Sequence, residues 1–407
     1  MNISGTKGCY GCGVCAVACP KGIIDMKLDG DGFYEPEITD TASCIDCGVC
    51  VRVCSFRDDR LSAPNKVLES YAAWSREPAV RRLCSSGGAA FEIGRSLIGK
   101  GYKVCGVKYD AAEHRAKHYI ASTADGLKAT AGSKYIQSYT VDGFRSVGRK
   151  GKWLVTGTPC QIDSFRRWLR LAKAEDGFIL MDFFCHGVPS MLLLDKYISE
   201  KTRGWQRVTA VSWRDKAAGW HDSWAMSVDG EMPSEGRLDT NRNVKDGMTA
   251  VSSCTRLSQG DGFFRLFLCD QCLGKACYDK CKFKYERSSA DIRIGDLWGK
   301  TYADDENGVT AVAVFTDKGR AAVEQSGCEL TTLPFETVAE GQMKTSPKRD
   351  RRYAILGKMM RDKNATIADM TAVLERHDRM MKLSYPFRHP LRMMRNIVMK
   401  RILRRKR

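Results

Sequence analysis

The sequence has no long hydrophobic segment. Although 43% of its 407 residues are hydrophobic, no apolar run approaches the ~20 residues that a membrane-spanning helix needs. The first residues, MNISGTKG, lack the apolar core of a signal peptide. These two absences argue against a helical membrane protein and predict a cytoplasmic location.

Most of the chain carries little net charge. The formal net charge is +18, but residues 1–60 carry −3, residues 61–343 carry +6 and residues 344–407 carry +15. A function in nucleic-acid binding would therefore rest on the C-terminal segment alone. We expect nucleic acid not to be a partner.

The C-terminal segment holds nine Lys and Arg residues and no acid from Arg388 onward. Apolar residues recur within it at helical spacing, which predicts a basic amphipathic helix. These apolar residues are Leu391, Met394, Val398 and Ile402. Such a helix suits peripheral contact with an anionic membrane, here the inner membrane surface. A solvated tail and a tail that docks on a partner remain open alternatives.

Cysteine, by contrast, is abundant and regularly spaced. Eighteen cysteines without an export signal favour metal ligation in a reducing compartment. Residues 9–20 read CYGCGVCAVACP and residues 44–55 read CIDCGVCVRVCS, so the pattern CxxCxxCxxxC occurs twice. In two-cluster ferredoxins the fourth cysteine of each run binds the cluster of the other run. The spacing predicts one 4Fe-4S cluster on Cys9, Cys12, Cys15 and Cys54 and a second on Cys44, Cys47, Cys50 and Cys19. A disulfide-rich secreted domain and zinc sites fit this doubled spacing poorly.

The middle of the chain alternates between strand-like and helix-like segments. YAAWS, YKVCGVKYD, WLVTG and FILMDFF read as strands, whereas AAFEIGRSLIGKG and QIDSFRRWLRLA read as helices. This alternation predicts an α/β or α+β fold with helices packed on a sheet. We expect a bacterial-type ferredoxin domain over residues 1–60, a mixed α/β domain over 66–343 with lobes at 66–189 and 190–343, and a basic helical tail over 344–407.

Three loops of this scaffold carry candidate chemistry. CSSGGAAF at 84–91 places serine and glycine before a helix, where free backbone amides bind phosphate, although the same residues also make an ordinary helix cap. TGTPCQ at 156–161 and CHGVPS at 185–190 each follow a buried strand. Ligand contacts in open α/β sheets lie at such strand ends, and the cysteines of these two loops could meet there.

A further cysteine-rich segment follows. FLCDQCLGKACYDKCKFK at 267–284 contains Cys269, Cys272, Cys277 and Cys281. Taken alone, this spacing is also typical of a zinc ribbon.

The order of the motifs resembles that of the coenzyme F420 hydrogenase and dehydrogenase beta-subunit family, to which 7-hydroxymethyl chlorophyll a reductase is similar. The shared motifs are SSGG, GSKYIQS at 132–138, TGTPCQI, DFFCHGVPS, WRDKAAGW at 213–220, CYDKCKFK and ADIRIGDLWG. The resemblance covers residues 1 to about 300, with the ferredoxin repeat included.

This resemblance implies a flavoprotein that binds FAD and a third iron-sulfur cluster. The residues that match the flavin-binding motifs are Ser85, Ser86, Gly87, Gly88, Ser133, Lys134, Tyr135, Gln137, Thr156, Gly157, Thr158 and Pro159. The residues that match the ligands of the third cluster are Cys160, Cys185, Cys277 and Cys281. Relatives usually carry CxxC where this chain separates Cys277 and Cys281 by three residues, so Cys269 or Cys272 could replace a ligand. The remaining cysteines are expected to be core thiols; they are Cys84, Cys105, Cys254 and Cys328.

The combination predicts an iron-sulfur flavoprotein oxidoreductase. A cubane transfers one electron and a hydride carrier takes two, whereas FAD can exchange electrons singly or in pairs. We expect electrons to pass between an external ferredoxin or another redox protein, the clusters, FAD and an unidentified two-electron substrate. The resemblance extends to proteins found beside polysaccharide genes, which suggests a role in polysaccharide biosynthesis. A non-catalytic electron-relay subunit of a larger complex is the alternative function.

Two residues are candidates for catalysis. His186 could donate a proton or contact the flavin, although a histidine at a strand end is often structural. Lys134 could stabilise an anionic reduced flavin or bind a phosphate.

Overall fold

The structure, a computed structural model, describes residues 1–233 and 248–388, with side chains described as far as residue 384. The strands of these residues are β1 Ile24–Leu28, β2 Tyr34–Ile38, β3 Glu69–Ser75, β4 Lys103–Asp110, β5 Arg115–Ala121, β6 Ser138–Tyr139, β7 Trp153–Thr156, β8 Phe178–Phe183, β9 Arg207–Arg214, β10 Trp224–Pro233, β11 Met248–Arg256, β12 Ile292–Asp296, β13 Thr310–Val314 and β14 Cys328–Thr332. The α-helices are α1 Val14–Ala18, α2 Val49–Arg52, α3 Pro78–Leu83, α4 Ala89–Gly99, α5 Ala124–Leu127, α6 Val141–Arg145, α7 Pro159–Leu171, α8 Met191–Lys201, α9 Gly262–Leu268, α10 Lys275–Asp279, α11 Asp317–Glu324, α12 Phe335–Val338, α13 Arg351–Arg361 and α14 Ile367–Arg388.

A mixed sheet of nine strands forms the centre of the fold, in the order β14-β3-β13-β12-β8-β7-β4-β5-β6. Strands β12, β8, β7 and β4 are parallel neighbours. Strand β3 runs in the same direction, because it is antiparallel to β13, which is itself antiparallel to β12. The predicted α/β fold class is confirmed.

Both faces of this sheet are covered by helices. Successive residues of a strand point to opposite faces, so Val104, Leu154 and Ile179 pack towards α4 and α11. Their chain neighbours on β4, β7 and β8 pack on the other face, against α6 and α7. The near-continuous apolar runs that identified these strands in the sequence reflect burial on both faces.

The chain between the two halves of the large sheet forms a second lobe. Strands β9, β10 and β11 make a separate antiparallel sheet, which packs with α8 and α9 around a core that includes Phe263, Phe264 and Trp213. Strands β12, β13 and β14 then return to the large sheet. The expected lobes at 66–189 and 190–343 therefore do not correspond to the two sheets, since strands from the later range complete the sheet that the earlier range begins.

The segment after residue 343 continues the core before it reaches the basic tail. Leu356 of α13 and Met370 of α14 are fully buried and join the core of the second lobe. Ile367 N donates a hydrogen bond to Glu200 Oε1 at the start of α14 (2.9 Å). The first half of the expected basic helical tail over 344–407 therefore buries apolar side chains against the second lobe. The amphipathic stretch with Leu391 to Ile402 lies outside the described residues.

None of the helices within the described residues is both long and apolar enough to cross a bilayer. This agrees with the absence of long apolar runs from the sequence.

Candidate functional site

The loops predicted from the sequence gather at one edge of the large sheet. The loops that follow β3, β7 and β8 contain residues 84–88, 156–160 and 184–190, and they lie at the carboxyl ends of parallel strands. Strand β6 runs antiparallel to that group, so the loop that enters it, residues 132–137, lies at the same edge. Ligands of open α/β sheets bind at this position.

Four cysteines that are distant in sequence line one cavity at this edge. The cysteines that line this cavity include Cys160, Cys185, Cys277 and Cys281. Cys160 lies in the first turn of α7, whose start is fixed by a capping box between Thr158 and Gln161. Cys185 follows β8, Cys277 lies in α10 and Cys281 lies two residues beyond α10. The structure therefore brings together the four residues that the resemblance had named.

Two thiols of this group are held in the neutral form. Burial raises the pKa of Cys277 to about 12 and holds the pKa of Cys160 well above its usual value, so a metal bound by these two thiols would displace their protons.

Cys269 and Cys272 do not line this cavity. Cys272 is fully buried in the apolar core of the second lobe, and the Cys269 thiol donates a hydrogen bond to Leu266 O (3.0 Å). The zinc-ribbon interpretation would require all four cysteines of 269–281 at one point, and the structure separates them into two pairs.

The two N-terminal cysteine runs interleave. Cys19 from the first run lines one cavity together with Cys44, Cys47 and Cys50 from the second. Cys54 from the second run lies near Cys9, Cys12 and Cys15, and the charge of these neighbours helps to raise the pKa of Cys15 above its usual value, after burial, which is the larger cause. The eight thiols therefore form the two crossed groups that the ferredoxin spacing predicts.

A glycine makes the close contact between the first run and the large domain. Gly13 precedes α1 at φ +72°, a conformation that disfavours other residues. A Cβ atom at this position would lie 2.1 Å from Thr140 Oγ1. Thr140 Oγ1 in turn donates a hydrogen bond to Cys12 O (2.9 Å).

The N-terminal domain is packed on the large domain rather than tethered beside it. The Cys12 thiol donates a hydrogen bond to Ser164 Oγ of α7 (3.3 Å). Gln137 Nε2 donates to Tyr10 O (3.0 Å), and Gln137 Oε1 accepts from Tyr34 N (2.9 Å). The amide of Gln137 thus holds the N-terminal domain, although the resemblance had placed this residue at the flavin.

Tyr10 lies between the first cysteine group and the cavity of the third. It lines that cavity together with Cys9, its chain neighbour. Its ring contacts Phe283 edge-on at a centroid distance of 5.9 Å, and its hydroxyl bonds to Lys280 O. Nothing in the sequence singled out Tyr10 except its position inside the first cysteine run.

Buried positive charge surrounds the third cysteine group. Lys284 is 8% exposed, and its ammonium donates to Cys185 O (2.6 Å) and His186 O (2.9 Å). Arg293 is fully buried and forms a bidentate pair with Asp182, with both N···O distances at 2.7 Å. The Lys284 ammonium can offset negative charge on the Cys185 sulfur, whereas the charge of Arg293 is balanced mainly by Asp182.

The two predicted flavin loops of residues 85–88 and 133–137 are joined. Ser85 Oγ accepts a hydrogen bond from Ser133 N (2.7 Å), and Ser86 Oγ donates to Val309 O (2.7 Å). Gly87 has no space for a side chain, since its Cβ would lie 2.4 Å from Ala73 O. Gly88 precedes α4 and provides no side-chain cap, and Ala89 N donates to Thr310 Oγ1 instead (3.5 Å).

Two lysine ammonium groups lie near this loop. Burial lowers the pKa of Lys134 to about 7 and that of Lys216 to about 8, and the thiol of Cys84 interacts with both. Lys134 Nζ donates to two backbone carbonyls, Thr130 O (3.1 Å) and Ala131 O (2.7 Å). Lys216 Nζ donates to the carbonyls of residues 81, 86 and 307. Lys216 was missed by sequence reasoning, although its motif WRDKAAGW carried the signal.

The other residues predicted to contact FAD either bond to neighbouring protein groups or line the cavity of the third cysteine group. Tyr135 accepts a hydrogen bond from Arg214 (3.2 Å) at its hydroxyl. Thr156 O is 3.0 Å from His118 Nε2. At Gly157, the Gln161 side chain occupies the space that a Cβ atom would need. The other two residues of that loop, 158 and 159, line the cavity of the third cysteine group.

His186 does not line that cavity. Its Nε2 lies 2.6 Å from Asp270 Oδ1, and its ring packs against Phe267 at a centroid distance of 4.9 Å. These contacts favour the structural alternative, and a catalytic role for His186 stays a prediction.

The four cysteines without ligand spacing differ in burial. Cys105 and Cys328 are buried and Cys84 is half-buried. Cys254 is exposed on β11. The expectation of a core thiol is therefore wrong for Cys254.

Comparisons with known proteins agree with the motifs. Residues 151–335 match the family model for the C terminus of the coenzyme F420 hydrogenase/dehydrogenase beta subunit, and residues 8–57 match the model of a 4Fe-4S dicluster domain. A chain from the F420-reducing NiFe hydrogenase complex of Methanosarcina barkeri, solved as a xenon derivative, has a TM-score of 0.42 at 16% sequence identity over 77% of this chain and 92% of that chain. No curated protein matches the sequence.

Proposed function

We propose that this chain is an iron-sulfur flavoprotein oxidoreductase. It belongs to the coenzyme F420 hydrogenase/dehydrogenase beta-subunit family and carries a 4Fe-4S dicluster domain ahead of the family's C-terminal domain. An iron-sulfur redox function follows from the family and from the dicluster domain. The proposal adds a third cluster, FAD and a two-electron substrate.

One observation carries the proposal. Cys160, Cys185, Cys277 and Cys281 come from three separate segments and surround a single cavity, and Cys9 and Tyr10 of the dicluster domain line the same cavity. A set of structural thiols would not need to share a cavity with a cluster-binding segment. A third cluster held by these four residues would lie directly beside the first.

The cysteine groups then define an order for electron transfer. The group formed by Cys19, Cys44, Cys47 and Cys50 is outermost, since Cys47 is exposed and Ile45 beside it is 59% exposed. The group of Cys9, Cys12, Cys15 and Cys54 is next and touches α7 through Ser164. We infer that an external ferredoxin or another redox protein exchanges electrons at the outermost group.

The flavin belongs at the edge of the sheet beside the third group. FAD supplies the exchange between single electrons and electron pairs. Lys134 forms no ion pair among the described residues and its ammonium donates two hydrogen bonds, so its third N–H can donate to the diphosphate of the nucleotide. The Lys216 ammonium already donates three hydrogen bonds and contributes positive charge only. Residues 156–159, which are part of the proposed flavin site, directly precede Cys160 in the chain.

From the resemblance alone, we propose that the two-electron reaction of this protein is a step in polysaccharide biosynthesis.

Contact between the basic tail and an anionic membrane is likewise a proposal from the sequence. Removal of residues 386–407 should abolish binding to anionic vesicles at low salt, and equal binding by the shortened protein would contradict it.

The proposed function is tested by cofactor content and electron transfer. Anaerobically purified protein should contain about twelve irons and one FAD per chain, and reduced ferredoxin should bleach its flavin absorbance. Turnover by the purified chain alone would favour an enzyme over an electron-relay subunit. Eight irons together with full activity would remove the third cluster.

The two lysines predict a pH dependence for flavin binding. The lowered pKa of Lys134 means that its ammonium is charged below about pH 7 and neutral above it. A diphosphate binds the charged form, so FAD affinity should be highest below pH 7 and should fall as the pH rises towards 9. Lys134→Met should weaken FAD binding at pH 6 by roughly tenfold to a hundredfold, the value of a charged hydrogen bond, and should flatten the pH profile.

Binding of FAD to the apoflavoprotein measures both effects. Lys128→Met is the matched control, because Lys128 is 63% exposed and pairs with Asp125. An unchanged affinity and pH profile in Lys134→Met would place the nucleotide elsewhere.

A further inference from the structure

We propose that Lys284 is the counter-ion of the third iron-sulfur cluster and raises the reduction potential of that cluster. Neither the cysteine spacing nor the resemblance assigned Lys284 a role. The inference rests on the third cluster of the proposed function, and it adds the residue that sets how readily this cluster accepts an electron.

The cavity of the third cysteine group is lined by one basic side chain and no acidic one. Among the described residues that line it, Lys284 is the only lysine or arginine, and no aspartate or glutamate joins it. The side chain of Lys284 is also buried, at 8% exposure. A buried charge is costly unless an opposite charge and hydrogen bonds compensate it, so the cavity suits an occupant with negative charge.

The protein holds the Lys284 ammonium by hydrogen bonds but does not neutralise it. Its Nζ donates to Cys185 O (2.6 Å) and His186 O (2.9 Å) and lies 3.8 Å from Met343 Sδ. All three acceptors are uncharged, and Lys284 forms no ion pair within the part of the chain that the structure describes. Arg293 differs, because its charge is paired with Asp182. The charge of Lys284 therefore remains available to an anion in the cavity.

The position of this charge is fixed from two sides. Lys284 follows Cys281 by three residues in the chain, and its ammonium binds the backbone carbonyl of Cys185. Arg293 Nη1 donates to Phe283 O (3.0 Å), which holds the backbone directly before Lys284. The ammonium is thus tied to two of the segments that carry the proposed ligands.

A positive charge at this position favours the reduced state of the cluster. A 4Fe-4S cluster on four thiolates is anionic, and an added electron makes it more negative. Net charge and hydrogen bonding around a cluster are among the factors that set its reduction potential. Transfer from the first cysteine group to the third moves one electron and forms or breaks no bond. Lys284 therefore favours electron transfer from the dicluster domain towards the proposed flavin site.

The experiment is a potentiometric titration of the anaerobically purified holoprotein, with the reduced clusters measured by EPR. The signal of the third cluster is the one that is missing from Cys160→Ser, which lacks one proposed ligand. Lys284→Gln keeps N–H donors but removes the charge. At a fixed potential, its ratio of reduced to oxidised third cluster should fall about tenfold, the lower end of the effect of one opposite charge on a neighbouring ionisable group. This change corresponds to a midpoint potential about 59 mV lower.

Three comparisons separate the charge from other effects of the substitution. Lys284→Arg should keep the midpoint potential of the unaltered protein, because it keeps the charge. Lys196→Gln is the matched control, since Lys196 Nζ on α8 also donates to two backbone carbonyls, those of residues 362 and 365. It should leave every midpoint unchanged. The outermost group, which contains the exposed Cys47, should titrate alike in all variants.

Iron content distinguishes a failure of this inference from a failure of the proposed function. An unchanged midpoint in Lys284→Gln, with about twelve irons per chain, would overturn the role of Lys284 and leave the third cluster in place. Loss of about four irons in both Lys284→Gln and Lys284→Arg would make Lys284 a structural support of the Cys185 loop and would also overturn it. Loss in Lys284→Gln alone would support the counter-ion. Eight irons in the unaltered protein would refute the third cluster itself, and the role of Lys284 with it.

Discussion

Replacement of Cys160 by serine should lower the iron content by about four atoms per chain and severely slow the reduction of flavin by ferredoxin. Cys160 shares its cavity with Cys185, Cys277 and Cys281, and a 4Fe-4S cluster that loses one of four thiolates is poorly held. The dicluster groups should stay reducible, because none of their eight cysteines is changed. Chemical reduction of the flavin should survive, because a soluble reductant does not need the third cluster to reach the flavin.

Serine is a suitable replacement at this position. Cys160 Sγ lies 3.1 Å from Thr158 Oγ1, and a serine hydroxyl can keep that hydrogen bond, so the start of α7 should still form. Cys105→Ser is the control, since Cys105 is a fully buried thiol on β4 away from the cavity. Full iron content in Cys160→Ser would make Cys160 a structural thiol and would end the proposal of a third cluster at this cavity.

Arg293→Met should destabilise the protein by about 3–5 kcal/mol, the cost of leaving a buried partner charge unpaired. Arg293 and Asp182 are both fully buried and form a bidentate pair. Arg293 also donates to Phe283 O (3.0 Å) and Tyr285 O (2.6 Å). The residue therefore ties the segment after Cys281 to β8, which leads into Cys185.

Thermal unfolding under anaerobic conditions measures this effect. The midpoint should fall by roughly 6–10 °C, at about 2 °C per kcal/mol for a large domain. The double variant Asp182→Leu with Arg293→Met should recover much of the loss, because it leaves no unpaired charge. Arg207→Met breaks an exposed pair with Glu231 and should cost under about 1 kcal/mol. Equal midpoints for Arg293→Met and Arg207→Met would contradict the prediction.

Much of the large sheet could be predicted from single segments. FILMDFF and WLVTG are apolar on both faces, and this pattern follows from burial in the middle of a doubly covered sheet. Strands β5 and β14 escaped prediction, because each lies near an edge of the sheet and mixes polar with apolar residues.

The C-terminal helices were harder to interpret. Their excess of positive charge suggested a tail, but helices α13 and α14 place Leu356 and Met370 in the core. Net charge reports the solvent-facing side of a helix, whereas burial depends on the few apolar positions that meet a neighbour.

The sequence by itself determined the crossed cysteine groups of the dicluster domain, because a short loop with fixed spacing can direct its thiolates only to a few positions. It also determined that strand-end loops would carry the candidate chemistry, since parallel strands align their carboxyl ends. Only the tertiary structure decided that Cys160 and Cys281 line one cavity with Tyr10 and that Lys134 and Lys216 both lie near Cys84. These residues are distant in the sequence, and their proximity is set by how strands order and helices pack, which local spacing does not encode.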